Sequence, residues 1–317
     1  MSVVVVGCGY WGNNLIRNFS EIGELSAVCD DDKLLASKFS EKYKVPSLSY
    51  EEVLRSSCRA VVIAVPAIHH AKLSMDAFEA NKHVYVEKPL AMNSMEADEM
   101  IKKSKEKGLH LMVGHLLQYH PVFRKLKEMN INKEFGEIEY IYSNRLSFGK
   151  IRSEENVIWS FAPHDISMIL SLINSNIKNI HTKKTVLYQK GIPDMATIYL
   201  EFDSGVKGHI SCSWANPMKE QKLVLIGSKA TAIFDDTLQW GKKLMVLRQK
   251  INLQKTPPET LKKEPEFIKI DEEEPLKEEC KYFIDLINDK VAGLTTGEEG
   301  KKVLEVLEAS EELKFSK

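Results

Sequence analysis

Short unbroken apolar runs alternate with stretches of helical periodicity from residue 1 to about 115. The runs are Val3–Val6, Leu25–Asp30, Ala60–Val65, His83–Glu87 and Leu109–Gly114. Between them lie the amphipathic stretches Asn13–Ile22, Lys33–Tyr43, Ala67–Asn81 and Ser94–Lys107. A strand that is apolar along its whole length has both faces covered, and strand–helix alternation of this kind builds a parallel sheet. The first part of the chain therefore predicts an α/β, doubly wound parallel sheet.

Near residue 120 the period changes from helical to two. In "MATIYLEFD", Ala196, Ile198, Leu200 and Phe202 point one way, and Met195, Thr197, Tyr199 and Glu201 the other. "IEYIYSNRLSF", "VKGHISCSW", "KLVLIG" and "ATAIFDD" repeat that habit, with turns such as "DSG" and "GSK" between segments. These segments predict an α+β second domain with a large, mostly antiparallel sheet whose one face lies on a core. Its other face is not strongly polar, which suits cover by another subunit, a homodimer or homotetramer. One helix is expected at about Pro163 to Ile173, a long surface loop over 248–275, and a closing helical pair near Glu278–Asn288 and Thr296–Glu312. Two domains follow, 1–118 and 119–317, and the length of 317 residues agrees with two cores.

Charge narrows the possible partners. Lys and Arg number 44 against 45 for Asp and Glu, and no basic stripe offers itself to a phosphate backbone, so nucleic acid is not the expected partner. No apolar run approaches the roughly 20 residues of a membrane span, and the first residues lack the pattern of a secretory leader. Five scattered cysteines with no CxxC pair suit reduced thiols in the cytoplasm, with neither a disulfide framework nor a zinc site. His69, His70 and His115 lack metal-ligand spacing, so no metal is expected.

Chemistry enters at "VVVVGCGYWG", residues 3–12. Gly7, Gly9 and Gly12 form G-x-G-x-x-G between a strand and a helix. There the first glycine permits the turn, the second lets a pyrophosphate approach, and the third lets helix and strand pack closely. The helix start then offers unpaired N–H groups to phosphate. Asp30 lies 18 residues beyond Gly12, where a carboxylate accepts from a ribose diol and repels a 2′-phosphate. This points to NAD, with NADP the lesser alternative. Tyr10, Trp11, Pro66, His69, Glu87 and Lys88 are further candidates for the dinucleotide site.

A second signature is "VYVEKPLA", which puts Glu87, Lys88 and Pro89 at a strand's carboxyl end, where ligands bind in such sheets. Beside a nicotinamide, Lys88 suits holding the reacting hydroxyl, and its amine suits proton transfer. A surface lysine is the plain alternative for Lys88 taken alone.

With both signatures, the chain resembles the glucose-fructose oxidoreductase, inositol dehydrogenase and rhizopine-catabolism family, on "GCGYWG", "AVPAIHHAKLSMDAFEANKHVYVEKPLA" and the later antiparallel domain. The resemblance implies an NAD(P)-dependent dehydrogenase acting on CH–OH groups of a sugar or cyclitol, with Lys88 catalytic. "GHLLQYHPVF", "SNRLSFGKIR" and "VIWSFAPHDISM" resemble the branch that oxidises C3 of UDP-linked N-acetylglucosamine or its uronic acid, making 3-keto sugars for transamination toward surface glycans. The family's Asp-x-x-x-His reads Ser160-Phe-Ala-Pro-His164 here, so Ser160 replaces the aspartate and His164 keeps its position.

His164, expected at a helix start after Pro163, is the second acid–base candidate, and which of Lys88 and His164 takes the proton stays open. The substrate-binding candidates are Lys88, His115, Gln118, Tyr119, Asn144, Arg145, His164 and Asp165. Arginine suits a diphosphate or uronate, and equally a surface ion pair. Other readings are a 3-keto deoxysugar-nucleotide reductase, an inositol or sugar dehydrogenase, and, from another class, a non-catalytic NAD-sensing regulator. Retention of both Lys88 and His164 favours an enzyme.

Overall fold

The computed structural model describes residues 2–311 apart from 154, 249, 253 and 262. Its described Cα positions separate into two compact units. The first comprises Met1–His120 and Glu273–Glu305, the second Pro121–Glu272 and the residues from Val306 on.

In the first unit, β1 (Val3–Val6), β2 (Leu25–Cys29), β3 (Ala60–Ile63), β4 (His83–Glu87) and β5 (Leu111–Gly114) form one sheet in the order β2-β1-β3-β4-β5. Every neighbouring pair is parallel. All four residues of β1 and all four of β3 are buried, as unbroken apolar runs require when both faces are covered. The helices are α1 (Gly12–Glu21), α2 (Lys33–Tyr43), α3 (Tyr50–Arg55), α4 (His70–Glu79) and α5 (Ser94–Glu106). The short α3 was not among the expected elements. It is set by a capping box, with Ser49 and Glu52 each bonding the other's backbone N–H.

The C-terminal helix pair also contributes here. Helix α8 (Pro275–Ile287) lays Leu276, Cys280, Phe283, Leu286 and Ile287 into the core formed by β1, β4 and α1. The Phe283 ring meets Phe19 and Tyr85 edge-on, with centroids 6.4 and 5.6 Å apart. Residues 273–305 thus fold with the parallel sheet, whereas the sequence reading grouped the whole of 119–317 together. The deciding contacts are long-range, and periodicity does not report which sheet a helix covers.

In the second unit, α6 (Pro121–Ile131) precedes an eight-stranded sheet. Its strands are β6 (Ile138–Phe148), β7 (Ile177–Thr185), β8 (Met195–Phe202), β9 (Lys207–Ser213), β10 (Ala215–Gly227), β11 (Thr231–Asp235), β12 (Leu244–Leu247) and β15 (Glu266–Phe267). The order is β15-β12-β11-β10-β6-β9-β8-β7, antiparallel throughout except for the parallel pair β6–β9. Along β8 the expected alternation holds, since Ala196, Ile198, Leu200 and Phe202 are all buried. The segment expected as one long loop carries the hairpin β13 (Lys250–Asn252) and β14 (Glu259–Leu261) as well as β15.

One helix boundary differs in a way that affects the site. Helix α7 runs Val157–Leu172, with Pro163 inside it and His164 at mid-helix, not at a helix start. Asn156 sets the true beginning, its side-chain oxygen accepting from the N–H groups of Ile158 and Trp159 at 2.9 and 3.3 Å. Pro163 is carried in the interior, where it lacks the N–H that would continue the ladder.

Candidate active site

The glycine turn between β1 and α1 shows why each position is what it is. Gly7 has φ +97°, and a Cβ there would lie 2.4 Å from the Ala64 carbonyl oxygen. A Cβ on Gly12 would lie 1.8 Å from the Gly7 oxygen, so the close approach of helix and strand admits no side chain. Gly9 differs, because its Cβ would meet nothing within 4 Å. The protein's own packing does not demand a glycine there, and the open space above it fits an approaching pyrophosphate. Helix α1 begins without a capping side chain and without an acidic residue in its first turn, which leaves its dipole to an anion.

Asp30 stands just past the end of β2. Its carboxylate accepts from Cys8 N at 2.6 Å and from Asp32 N at 2.8 Å, so it is tied to the glycine turn itself. The Cys8 thiol is buried and pushed up to about 12, by burial first and then by Asp30, which makes it a packing residue and no nucleophile.

At the carboxyl end of β4, Glu87 gathers three donors. Trp11 Nε1 donates to Oε1 at 2.5 Å, the Tyr85 hydroxyl to the same oxygen at 3.1 Å, and Lys88 N to Oε2 at 3.3 Å. Burial raises the Glu87 pKa, and these bonds and the nearby Lys88 charge pull it back in part. The indole of Trp11 thereby ties the glycine turn to the strand that presents Lys88. Lys88 itself is half-buried, and the Lys88–Pro89 peptide is cis. Tyr10, at 93% exposure, is fully open, and Pro66 and His69 are exposed at the start of the next helical turn.

The end of β5 lies beside that of β4, since Gly114 pairs with Glu87. His115 follows, buried, with Nδ1 2.5 Å from the Glu299 carboxylate. Gln118 and Tyr119 are buried as well, and the Tyr119 hydroxyl is 2.7 Å from Thr295 Oγ1. Thr295 and Glu299 come from the segment that precedes and opens α9 (Gly297–Glu311). That helix can come close because a Cβ on Gly300 would lie 2.7 Å from Val113 and 3.2 Å from Leu90.

The candidates on the second unit divide. Adjacent residues on a strand face opposite ways, and Asn144 and Arg145 on β6 do so. Arg145 faces α7 and forms a two-bond ion pair with Asp165, to which Ser143 Oγ also donates. Asp165 has no exposed surface, so its carboxylate is committed inside the protein. Asn144 faces the other way, where it donates to Glu220 Oε1 at 2.7 Å. The two therefore do not line one sheet face. His164 is half-buried on α7 and Ser160, one turn earlier, is buried.

Three residues that complete these networks, Glu299, Thr295 and Ser143, are not singled out by sequence. The spacing "TTGEEG", with glycines on both sides of two glutamates, was the available signal for Glu299.

A glycine-turned parallel sheet with a lysine at its carboxyl edge, followed by a large mixed sheet, defines a nicotinamide-dependent dehydrogenase acting on hydroxyl groups. Residues 1–115 match the model of an oxidoreductase family with an NAD-binding Rossmann fold, and 123–233 match the GFO/IDH/MocA C-terminal domain. The chain belongs to the Gfo/Idh/MocA oxidoreductase family. It is 25% identical over 214 residues to a UDP-N-acetylglucosamine 3-dehydrogenase of Acidithiobacillus ferrooxidans, 67% of each chain. It is 26% identical over 255 residues to a myo-inositol 2-dehydrogenase of Thermotoga maritima, 74% of this chain and 75% of that one. A solved structure of the Acidithiobacillus enzyme superposes with a TM-score of 0.86, covering 97% of this chain and 95% of the other at 22% identity.

Proposed function

We propose that this chain oxidises the C3 hydroxyl of a UDP-linked N-acetylamino sugar, UDP-N-acetylglucosamine or its uronic acid, giving a 3-keto sugar for later transamination. The similarity to the Acidithiobacillus dehydrogenase, which extends through both units, carries the choice of substrate. A bound nicotinamide dinucleotide supplies the hydride acceptor, and the chain supplies orientation and a place for the hydroxyl proton. Gly7, Gly9 and Gly12 with the start of α1 take the pyrophosphate. Asp30 takes the ribose diol, and its negative charge selects NAD over NADP. Lys88 and His164 are the acid–base pair, and Trp11 and Glu87 hold the lysine's strand end against the glycine turn.

Inositol dehydrogenation is the second reading, favoured by the comparable similarity to the Thermotoga enzyme. NADH formation with UDP-N-acetylglucosamine, its uronic acid and free inositols separates the two. Turnover of inositol alone contradicts the sugar-nucleotide reading.

The outer face of the second unit's sheet is assigned to a second copy of the chain. Phe267, Met245, Ile233, Val224, Tyr142, His209 and Tyr199 pair with one another in turn across seven strands by register, so all point to one face. A light-scattering mass at a multiple of 36.1 kDa is expected, and a monomer contradicts the assignment.

A further inference from the structure

His70 opens α4 and is buried, with 1% of its surface exposed. Its ring bridges two backbone carbonyls. Nδ1 lies 2.7 Å from the Pro89 oxygen, and Nε2 lies 2.9 Å from the Val65 oxygen. Val65 closes the segment leaving β3, and Pro89 directly follows Lys88. Carbonyl oxygens only accept, so each contact calls for a proton on the ring, and a neutral imidazole carries one. Burial lowers the His70 pKa, the two carbonyls partly restore it, and the charges of His69 and Lys88 lower it further. His69 on the preceding helical turn and Lys88 on the facing bend are the groups that act on the ring electrostatically.

We propose that His70 is a positioning residue for Lys88: its Nδ1–H holds the Pro89 carbonyl, ties that bend to the end of β3, and so fixes the presentation of the lysine. The role rests on Lys88 being the acid–base group. His70 is conformational support and is not assigned to substrate or dinucleotide.

His70→Phe keeps a ring and removes both ring nitrogens, and with them the Nδ1–H donor, while His70→Asn keeps a donor at shorter reach. For His70→Phe, kcat is expected to fall about 10- to 100-fold, with NADH affinity by fluorescence titration within about threefold of the unaltered protein. The pH profile of kcat/KM is expected to shift, and His70→Asn to recover part of the loss. An unchanged kcat and pH profile in His70→Phe overturns the role, as does a loss of NADH affinity in step with kcat. NMR of the ring nitrogens in the unaltered protein needs no variant: Nδ1 is expected to stay protonated wherever the protein is folded, and a bare Nδ1 contradicts the proposal. Lys88→Met separates this role from the reading beneath it. Turnover retained in Lys88→Met sinks both, whereas an inactive Lys88→Met beside a fully active His70→Phe sinks the positioning role alone.

Discussion

The two sheets present their chemistry differently. In the first unit the strands are buried on both faces, so the candidate groups gather where strands end: the glycine turn after β1, Asp30 after β2, Lys88 after β4 and His115 after β5. In the second unit the strands are buried on one face, and the candidate groups sit on the faces themselves, Arg145 on β6 and His164 on α7. At a strand end the backbone fixes position, whereas on a face the register and helix phase decide which side chain points where. The first kind of site tolerates little change in backbone shape, and the second little change in pairing.

The largest effects on folding are expected where each unit concentrates its interior contacts. Asp165→Ala leaves the largely enclosed Arg145 guanidinium without its buried carboxylate, and a loss of about 3 kcal/mol of unfolding free energy is expected in denaturant titration. Phe283→Ala probes the first unit's dependence on α8 and is expected to cost about 3–5 kcal/mol. Coupled loss of NADH binding in Phe283→Ala would confirm that residues 273–305 serve the parallel sheet. Intact binding and stability would return them to the other unit.

A smaller pair of substitutions tests the strand-end principle within one loop. Gly12→Ala forces a Cβ against the Gly7 carbonyl and is expected to destabilise by roughly 1–3 kcal/mol. Gly9→Ala meets no protein atom, so unfolding free energy should change by less than about 0.5 kcal/mol while dinucleotide affinity falls. Equal stability losses at both positions would remove the argument that Gly9 is kept for the ligand.

The last test concerns Glu279, which α8 buries completely beside Tyr85 and Glu87. The Tyr85 hydroxyl donates to Glu87 and also acts on the Glu279 carboxyl, pulling its pKa down in part. Burial, then the Glu87 charge, raises its pKa well above the ordinary carboxylate value. A folded-state pKa above the unfolded one contributes stability that is present below the unfolded value and is lost as pH rises through the folded one. Glu279→Gln is therefore expected to flatten the decline of unfolding free energy toward alkaline pH. A slope identical to that of the unaltered protein would show that Glu279 is not the titrating group.

Sequence pattern exposes the two regions to different degrees. Unbroken runs and a glycine triplet are local signals, and β1, β4, Gly7, Gly12 and Asp30 fall where those signals put them. The start of α7 is also local, but the Asn156 cap competes with the proline signal at 163, and the cap prevails because its side chain satisfies two helix-start N–H groups. Face assignment needs strand register: Asn144 and Arg145 are neighbours in sequence, yet one meets Glu220 and the other Asp165. The pairings of Glu299 with His115 and Thr295 with Tyr119 cross more than 170 residues and leave no periodic trace.

The central claim is that Lys88 performs chemistry on a sugar-nucleotide hydroxyl and does not merely sit beside a dinucleotide. Measuring NADH formation from UDP-N-acetylglucosamine together with NADH affinity, in the unaltered protein and in Lys88→Met, tests it most directly. Turnover in the unaltered protein, a fall of about 10²–10⁴-fold in the variant and an affinity that hardly moves are the predicted result. Undiminished turnover in Lys88→Met would contradict the account.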